Sequence, residues 1–213
     1  WITQTINFDL ENFTATQKIF KMPMINKDQY ESTETNSFLV NDVLLQMKLN
    51  SSVMKISFSD LQGNELKTLT QWAGKEIEFK NSDIIQEQAN SKSTRILDNS
   101  NQLIRKIHNL NPSVSAYFID NKYHLVIGGV SYPQASTGAM IMGGMLGGAV
   151  GAIIASSISS AYAYDNLIAY NDKKVVYIYS VLDKDLNHVK GDSQPLAFDK
   201  MRKFVTENPW YSG

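Results

Sequence analysis

Three histidines, His108, His124 and His188, are the first residues to weigh for chemistry, because an imidazole titrates near neutral pH and is a common metal ligand. They lie far apart in the chain. No HxxxH or HExxH spacing puts two of them on one helix face, so each reads as a structural or surface histidine. Asp183 and Asp185 form a D-x-D pair that could hold Ca²⁺ with help from carbonyls. The other positions of an EF-hand loop are missing, and a plain turn is the expectation. Tyr162, Tyr164, Tyr170, Tyr177 and Tyr179 cluster just before that pair. Aromatic faces of this kind stack on sugars, line a core, or form a belt at a membrane interface. A hydrolase or glycan-binding site built from Asp183, Asp185, His188 and these tyrosines is therefore one alternative reading.

The motifs that would name a reaction are missing. There is no GxSxG nucleophile elbow and no GxxxxGK[ST] phosphate loop, and the glycines of 143–151 fall at the wrong offsets for GxGxxG. The chain has no cysteine, which removes disulfides, thiolate metal sites and Cys nucleophiles together. The reading is a non-enzyme with no catalytic residues, no metal and no cofactor. With 20 Lys+Arg against 21 Asp+Glu the formal charge is −1. Nucleic acid is excluded as a general partner, because phosphate binding needs a basic excess. Hydrophobic content of 43% with 19% charged residues argues for a packed core and against bulk disorder.

One segment departs from the rest. From Tyr123 to Tyr164 there are 42 residues without Asp, Glu, Lys or Arg. Inside it, 138–155 contains only Gly, Ala, Met, Ile, Leu and Val, and holds six of the 12 glycines. Ala139, Gly143, Gly147, Gly151, Ala155 and Ser159 recur every four residues. Gly144, Gly148, Ala152, Ser156 and Ser160 make a second such row. On a helix, two adjacent rows of small residues leave a flat groove that another backbone can approach closely, the small-xxx-small device of membrane helices. Six helical glycines would cost roughly 6 kcal/mol relative to alanine, comparable with the net stability of a small domain. Something must pack on that face if it is helical.

Three states of the segment satisfy this: a transmembrane helix, a hairpin or Gly-rich loop buried in the chain's own fold, or an apolar element presented to a partner. The last is the reading adopted, since an uncharged apolar stretch has no charge to desolvate on docking, and methionine suits a surface that repacks. The residues expected to bind the partner are Met140, Met142, Gly143, Met145, Leu146, Gly147, Gly148, Gly151, Ile153 and Ile154. Insertion into a membrane through this glycine-zipper segment is a second alternative.

The elements that must carry the segment read as follows. Ile2, Ile6 and Phe8 suggest an opening strand. Residues 37–70 alternate apolar and polar with period two, broken at Asn41-Asp42, Asn50–Ser52 and Gln62–Asn64, which predicts up to four antiparallel strands in a meander the size of a propeller blade. A short strand is expected at 76–79 and a helix over 95–110, stopped at Asn111-Pro112. Strands follow at 114–119, 123–130 and 174–182, the last apolar on both faces and so covered on both sides. A short strand ending at Gly191 and a final helix near 195–207 complete the pattern. The fold class is α+β: a β meander in a β-rich N-terminal region, 1–90, followed by a mixed helix/sheet layer domain, 91–213, with a Gly-rich apolar insert at 131–172.

The blocks Lys122–Gly129, the Gly/Ala/Met insert, Lys174–Gly191 and Phe198–Phe204 together resemble uncharacterised bacterial envelope proteins in which these blocks follow propeller-like repeats. The resemblance covers about 93–205 and carries no activity. It implies that the chain is the C-terminal part of a longer protein; a first residue of Trp1 rather than Met likewise suggests a processed chain or a fragment. The functional expectation is a non-enzymatic, plug-like accessory subunit of a cell-envelope assembly, periplasmic or outer-membrane associated. Its partner would be a protein such as an outer-membrane channel or a secretion complex.

Overall fold

The computed structural model describes residues 1–25, 32–88, 94–131 and 174–192, with Lys200, Phe204 and Asn208. Eleven strands and one helix are the complete elements of these residues, beside helical Lys200 and Phe204, in a β-rich α+β fold. The strands are β1 (Ile2–Asp9), β2 (Thr14–Lys21), β3 (Glu34–Val40), β4 (Val43–Leu49), β5 (Val53–Asp60), β6 (Glu65–Trp72), β7 (Ile84–Gln88), β8 (Arg95–Leu97), β9 (Asn111–Ile119), β10 (Lys122–Val130) and β11 (Lys174–Asp183). The helix α1 is Ser100–His108.

The expected meander is present as the four-stranded sheet β3-β4-β5-β6, antiparallel throughout. Period two puts Val43, Leu45, Met47 and Leu49 of β4 on the same face as Met54, Ile56 and Phe58 of β5, and all seven are core residues. The opposite face of β4 is buried as well, because the β1–β2 hairpin lies over it. The hairpin is held by Gln46 Nε2 donating to Thr3 Oγ1 (2.9 Å), by Lys18 Nζ donating to the Leu61 carbonyl (2.6 Å), and by buried Phe20. Its own outer face carries Ile2, Ile6, Phe8 and Ile19, each more than half exposed.

The second sheet has the order β8-β7-β11-β10-β9, also antiparallel. One of its faces shares a core with the meander. Ile84, Val114, Leu125, Ile127, Val176 and Ile178 pack in the same cluster as Met47 and Phe58, and α1 adds Leu103, Ile104 and Ile107. The two sheets meet where β3 lies against β9, with the Val114 amide donating to Asn36 Oδ1 (3.0 Å). The other face forms a smaller apolar cluster of Val126, Val130, Val175 and Tyr177, so β11 is buried on both faces. Tyr177 crosses Gly128 on its neighbour strand. A Cβ at Gly128 would collide with the Val176 carbonyl and stand 2.7 Å from Tyr177 Cβ, so only glycine admits this approach.

Three local expectations need correction. Residues 95–110 are not one helix: Arg95–Leu97 pair with β7, and α1 begins only at Ser100, with Asn99 as N-cap accepting from the Gln102 amide (3.2 Å). Ile77 and Phe79 are buried in a turn rather than a strand. After β11 there is a single bridge, Leu182 to His188, where a strand was expected. The position read as a boundary, 90–92, lies outside the described residues, between the paired strands β7 and β8. Of the expected C-terminal helix, Lys200 and Phe204 are described as helical.

Candidate functional site

The ten residues expected to bind a partner, Met140 to Ile154, lie outside the described residues, as do Tyr162, Tyr164 and Tyr170. The place where that segment leaves and rejoins the fold is described. β10 and β11 are central, antiparallel neighbours, paired from Lys122↔Asp183 to Val130↔Val175. One residue beyond this register, the Ser131 amide donates to the Lys174 carbonyl (2.8 Å) and the Lys174 amide donates to Ser131 Oγ (2.7 Å). The two bonds close a neck. Residues 132–173 are therefore a long connection between two strands that are already joined along their whole length, in the position that a two-residue turn occupies at Asn41-Asp42 and Asp120-Asn121.

Of the alternative constellation, Asp183, Asp185, His188, Tyr177 and Tyr179 lie among the described residues. Asp183 caps the turn after β11. Its Oδ1 accepts from the amides of Asp185 (2.9 Å) and Asn187 (2.8 Å), while the Leu186 amide donates to the Asp183 carbonyl (3.0 Å). These bonds, led by the Asn187 amide, hold its carboxyl below the usual carboxylate range, with Lys67 adding a minor pull. The same device closes the β5–β6 loop, where Asp60 accepts from the amide and side chain of Asn64 (2.8 and 2.7 Å). In both loops the fourth residue has positive φ, Gly63 at 93° and Leu186 at 62°.

His188 is drawn into a network centred on a residue that the sequence reading passed over. Asn81 is buried. Its Oδ1 accepts from the Val181 amide (2.7 Å) and lies 3.0 Å from His188 Nε2, and its Nδ2 donates to the carbonyls of Val189 and Gly191. Burial, helped by Lys190, pushes the His188 pKa down. A neutral imidazole whose Nε2–H donates to Asn81 fits this arrangement. The other histidines stand apart from it: His108 Nε2 lies 3.2 Å from Ser32 Oγ, and His124 stacks on Tyr117 with ring centroids 4.7 Å apart. Burial also lowers the His124 pKa.

Tyr177 and Tyr179 meet edge to face at 5.5 Å, and Tyr177 donates its hydroxyl to Glu87 Oε1 (3.0 Å). Tyr177 is buried, so its ring packs a core rather than offering a stacking platform. Among the described residues no group of three or more His, Asp or Glu side chains converges as a metal site would require. Among them, too, no helix is long and apolar enough to cross a membrane.

No family model, no curated protein and no solved structure matches the chain.

Proposed function

We propose that this protein is a non-enzymatic accessory subunit of a bacterial cell-envelope assembly. It docks on a partner protein, such as an outer-membrane channel or a secretion complex, through the apolar Gly-rich segment around 138–160. The observation that carries the reading is the pairing of an uncharged stretch, 132–164 within the 42 residues from Tyr123 to Tyr164, with a neck closed at Ser131 and Lys174. On either side of the neck, β10 and β11 already have two strand partners each among the described residues, β9 and β11 for β10, β10 and β7 for β11. A long apolar sequence kept in such a place supports a role outside the sheet. The envelope setting rests on composition, rich in Asn, Ser, Thr and Gln and sparse in charge, and on the block resemblance of 93–205.

The test replaces 132–173 by an Asn-Gly turn. The expected variant is soluble, unfolds cooperatively like the parent, and no longer co-purifies with the native partner. Loss of cooperative unfolding would make the segment part of the fold's own core. Retained co-purification would move the docking surface elsewhere. Either result overturns the proposal.

A further inference from the structure

A cleft of about 370 Å³ opens between the last turn of α1 and the β7–β11 pair, and Arg105, Lys106 and Lys174 line it with Asn109 and Gln86. Its size is that of a small-ligand site. Three full positive charges line it, and no carboxylate is among its described lining residues. None of the three makes an ion pair with a described residue. The carboxylate of the adjoining β7 residue, Glu87, is engaged on the opposite face of the sheet by Tyr177.

A helix attracts basic residues to its last turn, where the dipole leaves about half a negative charge. That accounts for Arg105 and Lys106 as members of α1. It does not account for Lys174, which comes from a different element, nor for a surplus of more than two positive charges in a concavity, where low-dielectric walls strengthen the field.

We infer that this cleft binds a small phosphorylated compound. Arg105 and Lys174 hold the oxyanion through charge-assisted hydrogen bonds, and Lys106 adds charge. Glycerol phosphate is one such compound. It occurs both as a free compound and as a phospholipid headgroup. The inference is independent of the docking proposal, since every residue it invokes lies outside 132–173.

The experiment is calorimetric titration of the full chain with glycerol 3-phosphate and with inorganic phosphate. A flotation assay runs beside it on phosphatidylcholine vesicles with and without phosphatidylglycerol. Saturable binding of glycerol 3-phosphate is expected, weakened about tenfold in Arg105→Gln and in Lys174→Gln, the loss of one charge-assisted contact. Both side chains are exposed, so both variants should unfold at the parental midpoint. Flotation with phosphatidylglycerol that Arg105→Gln abolishes assigns the ligand to a headgroup, and soluble binding without flotation assigns it to a free compound. Lys184→Gln, an exposed charge at the far end of β11, is the control. The inference is overturned if neither glycerol 3-phosphate nor phosphatidylglycerol vesicles bind, or if Lys184→Gln weakens binding as much as Lys174→Gln does.

Discussion

Replacing Asn81 by Ala removes an acceptor from the Val181 amide and from His188, and a donor from two carbonyls, in a site that is almost closed to water. A buried group left unpaired costs about 1–3 kcal/mol, so Asn81→Ala should lower stability by roughly 3 kcal/mol in chemical denaturation. A change within 0.5 kcal/mol would mean that water replaces the amide freely. Nothing in the sequence marks Asn81. It sits in a polar connector, and its side-chain partners come a hundred or more residues later. Asp183 was legible as a turn residue because Asp and Asn hydrogen-bond their own local backbone. The shared pattern of Asp60–Asn64 and Asp183–Asn187 was legible in principle too, since both loops run Asp to Asn over five residues, but Leu186 at the positive-φ position hides it where Gly63 reveals it. Arg105 and Lys174 lie on separate elements with no local spacing to connect them, and only the packing of α1 beside β11 brings them to one cleft.

At the scale of elements, the β1–β2 hairpin shows how burial decides cost. Phe20 is 6% exposed and faces the meander, whereas Phe8 is 64% exposed on the outer face. Phe20→Ala should destabilise by about 3 kcal/mol and Phe8→Ala by less than about 0.5 kcal/mol, read from urea midpoints at constant slope. The reverse order would place the hairpin the other way up. Strands whose alternation is strong were readable in advance: β4, β5 and β6 and the turns between them lie where period two and the turn residues put them. The misreading of 95–110 has a physical origin. Ile96 extends the 3.6-residue stripe of Leu103, Ile104 and Ile107, yet it is half exposed on β8, opposite Ile85. The true helix signal is Asn99, which satisfies the first orphan amides before the apolar stripe begins. The neck was not readable, because Ser131 and Lys174 bond across a connection of 42 residues and no local spacing links them.

For the molecule as a whole, pH dependence sums several groups of the same sign. His124 and His188 have folded pKa values below their ordinary 6.5, both chiefly through burial. Their contribution is present above pH 6.5 and is lost as the pH falls through the folded values. Asp9, Asp60 and Asp183 lie below their ordinary 3.8, Asp9 and Asp60 chiefly through side-chain bonds to Asn12 and Asn64, and Asp183 through the Asn187 amide. Their contribution persists above pH 3.8 and disappears below it. Stability should therefore hold above neutrality and decline on acidification in two stages, one beginning below 6.5 and one below 3.8. His188→Asn and His124→Phe together should flatten the first stage and leave the second. Stability that rises on acidification would contradict the account.

The central claim, that the Gly-rich segment meets another molecule, can be read directly because the chain has no cysteine of its own. Met145→Cys supplies a single thiol inside the segment. The account predicts that a water-soluble maleimide labels this variant in the isolated chain and fails to label it in intact envelopes, where the partner covers it. Protection in the isolated chain would mean that the segment is buried beneath its own fold. Equal labelling in both settings would mean that nothing docks there.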